Sequence, residues 1–326
     1  MTAFLRSVKL GAVAVVATIA ASALVPRALG QPTAVPTAYI CPMHPDVVSR
    51  SAGSCWRCGM ALALADPFDA REFLVTLDAT PPAPRAGGRT RLRLTVREPS
   101  TRAIVRDFVD VHEKPYHLFV ISQDLEHYDH VHPQQQRDGS YLVDVTLPRP
   151  GYYRLYSDFL PLGATPQIVP TVLVTADAAG DLGSAQTPLV ADTNLSRTAD
   201  GMRVTLTLPA DGLVAGRDEK LQYHIVDAAT GAPIADLEPY LAAFGHTLVL
   251  SEDTLHYVHA HPVEILPARG VPAAGGPLDT ARGGPDLTFK ALMPKPGRYR
   301  VWTQLKRRGV VSTISFTVAV ASPVGR

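Results

Sequence analysis

All three cysteines of the chain, and two of its five methionines, lie in the single stretch YICPMHPDVVSRSAGSCWRCGM near the N-terminus. The side chains of this stretch that can bind a metal ion are those of Cys41, Met43, His44, Cys55, Cys58 and Met60. Two cysteines that are two residues apart and followed by glycine form a tight turn whose sulfurs can point at one ion. Thiolates combined with thioethers favour copper(I) or silver, because soft sulfur donors select soft ions. The spacing therefore predicts a metal site, and the methionines indicate copper or silver.

A zinc ion or a disulfide would also gather cysteines in one stretch, and both alternatives stay open. A structural zinc ion bound by Cys41, His44, Cys55 and Cys58 would use three sulfurs and one nitrogen and would only fold the loop. A disulfide between two of the cysteines, with the third left free, is expected if the chain is exported to an oxidising compartment and no metal protects the thiols.

The same motifs carry a family resemblance. CPMHP at 41–45 with CxxCGM at 55–60 resembles the small heavy-metal-binding domain of copper- and silver-efflux adaptors and of some copper-transporting P-type ATPases. The resemblance covers about 26 residues, under a tenth of the chain. It implies that the six side chains named above are the ligands of a heavy-metal ion. Trp56-Arg57 and Ser51-Ala52 depart from the family pattern, but neither pair replaces a candidate ligand.

An internal repeat supplies a second set of candidate ligands. HLFVISQDLEHYDHVHP at 117–133 aligns with HTLVLSEDTLHYVHAHP at 246–262, and nine of the 17 positions are identical. The histidines of the first copy are His117, His127, His130 and His132, and those of the second copy are His246, His256, His259 and His261. His112 and His224 have no counterpart and are interpreted as ordinary residues.

Strand geometry brings some of these histidines together. Residues two apart in a strand share a face, so His130 and His132 can converge on one ion, and so can the equivalent pair of the second copy. If QDLE forms a hairpin turn, His117 and His127 face each other across the strands. Such an imidazole cluster suits copper(II) or zinc. Because His117 alternates with apolar residues, a buried, purely hydrogen-bonded structural role is the open alternative.

The segments around these motifs are predicted to be β-strands. Short runs with a period of two, bounded by Gly, Pro and Asp, are typical of β-sandwiches. PRPGYYRLY and PKPGRYRVW place Tyr153 and Tyr299 where immunoglobulin-like sandwiches have a corner tyrosine. The predicted fold class is mainly β, with a small N-terminal metal-binding knuckle followed by two tandem immunoglobulin-like β-sandwich domains. This organisation resembles exported bacterial proteins that join a heavy-metal-binding module to immunoglobulin-like or cupredoxin-like domains.

The predicted boundaries follow from composition. A positive start and the apolar run LGAVAVVATIA are typical of a cleaved signal peptide, with an uncleaved membrane anchor as the alternative. The segments are a signal peptide at 1–30, a linker at 31–38, the knuckle at 39–65, a first repeat at 70–177, a linker at 178–188 and a second repeat at 189–322. The second repeat carries an extra loop within 266–285, rich in Gly, Pro and Ala.

The expected function is that of an exported, periplasmic or extracytoplasmic copper- or silver-binding protein for sequestration, delivery or efflux support. A net charge of +1 without long basic runs excludes an electrostatic nucleic-acid partner. A zinc-stabilised interaction protein that docks to a membrane transport component is the second hypothesis. A copper-dependent redox enzyme is the third, although neither repeat contains a cysteine for a blue-copper site. We therefore expect no enzymatic activity.

Overall fold

The computed structural model describes residues 38–181, 188–260, 262 and 280–323. The predicted signal peptide, nearly all of the first linker, His261 and most of the extra loop of the second repeat lie outside these residues. The regular secondary structure of the described residues consists of 21 β-strands. None of the described residues forms a helix that is long and apolar enough to cross a membrane.

The knuckle is a three-stranded antiparallel sheet with the order β2-β1-β3. Its strands are β1 (Ala38–Ile40), β2 (Val48–Ser49) and β3 (Ala63–Ala65). Its buried core consists of two of its cysteines and Val47, with Met43, Cys58 and Leu62 packed against them. So small a core gives little stability, and folded units of this size usually depend on a metal or a disulfide.

The first repeat contains two sheets. The four-stranded sheet has the order β4-β5-β10-β9, and the five-stranded sheet has the order β12-β11-β7-β8 with β6 also paired to β11. The strands are β4 (Leu74–Thr80), β5 (Arg89–Arg97), β6 (Phe108–Val109), β7 (Tyr116–Ser122), β8 (Tyr128–Val131), β9 (Gln134–Gln135), β10 (Tyr141–Thr146), β11 (Tyr152–Pro161) and β12 (Gln167–Val174).

The second repeat has the same plan. Its four-stranded sheet has the order β13-β14-β16-β19 and its five-stranded sheet the order β15-β21-β20-β17-β18. The strands are β13 (Ser196–Ala199), β14 (Met202–Thr207), β15 (Leu213–Val214), β16 (Asp218–Asp227), β17 (His246–Ser251), β18 (Tyr257–Ala260), β19 (Asp286–Leu292), β20 (Gly297–Arg307) and β21 (Val310–Ala321).

Alternation along the central strands divides their side chains between two cores. In β7, Leu118 and Val120 face the core of the first repeat's own sandwich, whereas Phe119 and Ile121 face the opposite way. In β17, Val249 faces the core of the second sandwich. All seven side chains of β7 are buried, which requires that the other repeat cover the outer face of its sheet.

The two five-stranded sheets pack against each other and enclose a third apolar core. We call this contact the inter-repeat seam. Tyr128 stacks on Trp302 at 5.1 Å between ring centroids, and at the equivalent place Tyr257 stacks on Tyr156 at 5.5 Å. The buried apolar residues of the seam are Phe119, Ile121, Leu125, Tyr156, Leu189, Leu248, Leu250 and Trp302. The molecule is therefore an all-β protein of two face-to-face sandwiches and a small knuckle, which confirms the predicted fold class.

Each sandwich contains the predicted corner tyrosine. The Tyr153 hydroxyl donates to the carbonyl oxygen of Arg149 at 2.7 Å, and the Tyr299 hydroxyl donates to that of Lys295 at 2.7 Å. Both hydrogen bonds tie the start of a long strand to the turn before it, as in immunoglobulin-like sandwiches.

Candidate metal centre

Three sulfurs and one imidazole converge in the knuckle. Cys41 Sγ lies 3.5 Å from Cys58 Sγ and 3.7 Å from His44 Nδ1, and Cys55 Sγ lies 3.7 Å from the same nitrogen. The four ligand atoms all lie within 4.8 Å of one another. Spacings of this size match the edges of a tetrahedron around one ion bound by three sulfurs and a nitrogen.

Backbone hydrogen bonds hold these four side chains in place. Cys41 N donates to Val47 O at 3.1 Å, which closes the loop that carries His44. Gly59 N donates to Cys55 O at 2.7 Å, and the φ of Gly59 is 74°, so the turn between the last two cysteines uses the backbone conformation that glycine tolerates. The backbone itself therefore fixes the arrangement expected from the CxxCG spacing.

The protonation of the three sulfurs is unequal. None of the three cysteines forms a disulfide. The Cys58 thiol donates to Cys41, which lowers the pKa of Cys41 to about 4, and the same contact raises the pKa of Cys58. Burial raises the pKa of Cys55. The lowered pKa of Cys41 favours a thiolate at that sulfur, and a cation bound by all three sulfurs would displace the protons of the other two.

The two methionines and the departures from the family motif lie around this group. Met43 packs against the buried cysteines, and the carbonyl oxygen of Met60 accepts a 2.7 Å hydrogen bond from Cys55 N. Trp56 is 77% exposed, and Arg57 lies over its ring and forms an ion pair with Asp46 at 3.0 Å. The backbone N–H of Arg57 also donates to the sulfur of Cys55, so this departure adjoins a candidate ligand without replacing it.

One side of the knuckle borders a partly open cavity of about 180 Å³ whose other wall is formed by the second repeat. Met43, His44 and Cys58 line it from the knuckle, and Val258 and His259 line it from β18. The sulfur-rich group is therefore partly accessible, next to a histidine of the second repeat.

The histidines of the first repeat form a second group of convergent nitrogens. His117 on β7, His130 on β8 and His132 just after β8 each offer one ring nitrogen, and these atoms lie within 4.8 Å of one another. His117 Nδ1 lies 2.9 Å from His130 Nε2, and the rings of His130 and His132 are 4.7 Å apart. The structure thus brings together the predicted His-x-His pair and adds His117 to it.

The expected pairing of His117 with His127 is wrong. Ser122 N donates to His127 O at 3.1 Å, so the four-residue turn places His127 opposite the end of β7. The same register continues along the hairpin and puts His132 beside His117, with ring centroids 4.9 Å apart. His127 instead lies 3.2 Å from the carboxylate of Asp129. In the second repeat, His256 occupies the equivalent turn position, where its carbonyl accepts from Ser251 N.

The second repeat contains part of an equivalent histidine cluster. His246 Nδ1 lies 3.5 Å from His259 Nε2, and His246 Nε2 donates to Tyr240 O at 2.8 Å. His261, the remaining predicted member, lies outside the described residues. His112, interpreted from the sequence as ordinary, lies between the two groups, 5.3 Å from His246 and 6.3 Å from His117 by ring centroids.

Residues of one repeat bind the histidines of the other across the seam. His130 Nδ1 donates to Gln304 Oε1 at 2.9 Å, and His259 Nδ1 donates to Asp158 Oδ2 at 3.2 Å. Tyr257 also donates to Asp158 at 3.0 Å. Gln304 and Asp158 occupy equivalent places on β20 and β11, so the duplication repeats this contact. Sequence reasoning missed both residues, since neither belongs to a motif.

Burial lowers the pKa values of His112, His117, His130, His132 and His246, which favours their neutral form. Burial lowers the pKa of His117 to about 4 and that of His132 to about 3, and it also lowers the pKa of His130 well below its ordinary value. Burial also lowers the pKa values of His112 and His246, and neighbouring imidazoles add to this effect. Neutral imidazoles are the form that binds a metal ion.

Comparison with family models identifies both parts of the chain. Residues 69–177 and 197–322 each match the family described as Domain of unknown function (DUF8832), and together they span more than two thirds of the chain. The chain belongs to this family. Residues 38–63 match the heavy metal binding domain, so the knuckle of this DUF8832 protein is a metal-binding module, as its motifs indicated. No curated protein matches the chain.

Similar solved structures include three bacterial proteins. The Escherichia coli adhesin FdeC is 13% identical, with 76% of this chain and 64% of the adhesin chain covered and a TM-score of 0.23. A Salmonella α2-macroglobulin is 13% identical over 77% of this chain and 15% of its own, with a TM-score of 0.22. The Escherichia coli α2-macroglobulin is 13% identical over 78% of this chain and 16% of its own, with a TM-score of 0.23. This DUF8832 chain thus spans less than two thirds of each, and such low TM-scores support no argument.

Proposed function

We propose that this chain is an exported, non-enzymatic protein that binds a soft monovalent ion, copper(I) or silver, for sequestration, delivery or efflux support. The observation that carries the proposal is the preassembled group of three cysteine sulfurs in a heavy-metal-binding module. Met43 packed against this group supports copper or silver over zinc, because thioethers are soft donors.

The partly open cavity beside the knuckle supports exchange of the ion. A site that only folds a loop is closed by four protein ligands, whereas a carrier must release its ion to a partner. Met43, His44 and Cys58 all border the cavity, so an incoming ligand reaches the ion from that side. We propose a membrane efflux or transport component of the periplasm as the recipient of the ion.

Copper(I) titration of the full chain against a chromophoric chelator tests this proposal. The wild-type chain is expected to bind one copper(I) tightly at the knuckle, and the double variant Cys55→Ala/Cys58→Ala is expected to lose that equivalent. Ser54→Ala, an exposed change in the same loop, is the matched control and should bind as the wild type does. Unchanged copper(I) affinity in the double variant would refute the proposal.

A zinc-stabilised interaction protein is the second candidate, because Cys41, His44, Cys55 and Cys58 also form an acceptable zinc set. The two candidates predict different responses of bound zinc to added copper(I) or silver. If zinc is structural, excess copper(I) or silver leaves it bound, and chelation of zinc unfolds the knuckle. If the knuckle is a soft-metal carrier, copper(I) displaces zinc stoichiometrically.

A further inference from the structure

Three imidazoles of the first repeat meet at the inter-repeat seam, outside the sulfur-rich group. His117 and His130 come from adjacent strands of one sheet, and His132 follows the end of the second strand. The first two are buried and the third is half-buried. Ligands on neighbouring strands are held more rigidly than ligands on loops, and imidazole nitrogens favour zinc and copper(II).

Hydrogen bonds fix which ring nitrogens carry a proton. A carbonyl oxygen only accepts, so the 2.8 Å contact between His117 Nε2 and Val111 O places the proton on Nε2 and leaves Nδ1 bare. His130 Nδ1 donates to Gln304 Oε1, since the amide nitrogen of Gln304 faces Thr313, and this leaves His130 Nε2 bare. The two bare nitrogens are the pair that faces each other at 2.9 Å.

Two lone pairs at this distance repel each other unless a cation lies between them. A shared proton would make the pair cationic, and burial disfavours that charge more than the nearby Asp158 carboxylate favours it. A metal ion meets the requirement without protonation. Histidines that bind metals donate their second N–H to a carbonyl, carboxylate or similar acceptor, and both His117 and His130 do so. His132 Nε2 is buried with no hydrogen-bond partner among the described residues.

We propose that His117, His130 and His132 form a second metal site, which binds a divalent transition-metal ion such as zinc or copper(II). Three nitrogens leave the fourth position of a tetrahedral ion to water or another exchangeable ligand. The site offers no sulfur, so it is chemically separate from the knuckle. One chain then holds a soft monovalent ion on sulfur and a borderline divalent ion on nitrogen.

Cobalt(II) titration of the full chain, with zinc as competitor, distinguishes the two sites. Cobalt on thiolates gives sulfur-to-metal charge-transfer absorption, whereas cobalt on nitrogen ligands gives ligand-field bands alone. We expect two equivalents per chain, one of each kind. Cys55→Ala/Cys58→Ala should remove the charge-transfer bands and leave the nitrogen-bound equivalent, so failure of the knuckle hypothesis and failure of this one are separable.

His132→Ala is the principal variant, because removal of the His132 imidazole leaves the hydrogen bonds of His117 and His130 intact. Removal of a ligand should lower the affinity for the nitrogen-bound ion by at least ~10–100-fold, because removal of an outer hydrogen-bond partner of a ligand already costs that much. His117→Ala should do the same and serves as the second variant. His224→Ala removes a half-exposed histidine paired with Asp286. This variant is the matched control and should bind two equivalents of cobalt(II), as the wild type does.

Three outcomes overturn the proposal. The first is that the folded wild-type chain binds no nitrogen-bound ion at millimolar cobalt or zinc. The second is that this ion binds with unchanged affinity in both His132→Ala and His117→Ala, with near-UV circular dichroism confirming that they fold. The third is that ¹⁵N spectra show a proton shared by His117 and His130 that zinc does not displace.

Discussion

Met43 is the side chain that separates the two ions that the knuckle can hold. Cysteine and histidine bind zinc and copper(I) alike, but a thioether contributes to a soft monovalent ion and little to zinc. Met43 packs against the buried cysteines and borders the cavity, so its side chain lies next to the sulfur-rich group.

Met43→Leu therefore tests the identity of the ion. The substitution conserves volume, so the fold should lose less than about 1.5 kcal/mol of stability. We expect a copper(I) or silver affinity at least ~10-fold lower, as measured by chelator competition, with zinc affinity unchanged. Equal losses for zinc and copper(I) would show that Met43 acts only through packing. Leu62→Ile, a volume-conserving change in the knuckle that adds no sulfur, is the control.

The buried histidines make the metal-free chain sensitive to mild acid. Burial lowers the pKa of His117 to about 4, whereas histidine in an unfolded chain titrates near 6.5. Between these values the unfolded chain binds more protons than the folded one, so stability is complete above about pH 6.5 and is lost as the pH falls. At pH 5 the loss is about 2 kcal/mol for a histidine of this kind.

Urea unfolding of the metal-free chain at pH 7 and pH 5 measures this loss. Carboxylates stay ionised in this window, so histidines dominate the change. We expect a lower midpoint at pH 5 than at pH 7. A midpoint that is equal or higher at pH 5 would contradict the assignment of neutral buried imidazoles.

At the scale of single elements, the longer strands were predictable as strands. β7 and β17 each alternate in hydrophobicity and end at a turn that contains Asp, which is the pattern expected of strands. The two-residue strands β6, β9 and β15 were not predicted, since so short a segment has no period of its own.

The hairpin register was the part of the site that the pattern left ambiguous. The QDLE turn is bounded by Ser122 and His127, and this register decides that His132, not His127, lies beside His117. A shift of register exchanges every facing pair, and the spacing of histidines alone does not fix it. His112 was missed because its equivalent in the second repeat is Leu241, so duplication gave no signal.

The corner tyrosines give a test at this scale. Tyr299→Phe removes the hydrogen bond to Lys295 O and should cost about 1 kcal/mol of stability, or a fall of about 2–4 °C in the melting temperature. Tyr152→Phe removes an exposed hydrogen bond to Gly180 O and is the matched control, with a smaller expected effect. Equal effects of the two substitutions would argue against a stabilising tyrosine corner.

At the scale of the whole molecule, the inter-repeat seam links the two sandwiches. Sequence alternation assigned one apolar face to each sheet but did not show that β7 and β17 are buried on both faces. Gln304 and Asp158 likewise enter the histidine clusters only through packing of the sheets, which no local pattern encodes. Further ties run along the seam: Tyr156 donates to Thr254 O at 2.7 Å, and Arg300 donates to Leu125 O at 3.0 Å.

A charge placed in the seam should uncouple the repeats. Ile121 is fully buried there, so Ile121→Asp buries an unpaired carboxylate and should cost about 3 kcal/mol or more. We expect denaturant unfolding, followed by fluorescence and circular dichroism together, to change from one transition to two. Val172→Asp, at an exposed position of the same sheet, is the control. A single transition with an unchanged midpoint in Ile121→Asp would show that the seam contributes little.

The paired contacts across the seam have a consequence for the origin of the chain. The His130–Gln304 bond in one direction and the His259–Asp158 bond in the other join equivalent positions reciprocally, and the Tyr128–Trp302 and Tyr257–Tyr156 stacks do the same. Reciprocal contact between equivalent residues is the mark of an isologous interface, which two identical subunits form about a two-fold axis. The arrangement is the one that fusion of the two subunits of a symmetric homodimer would produce.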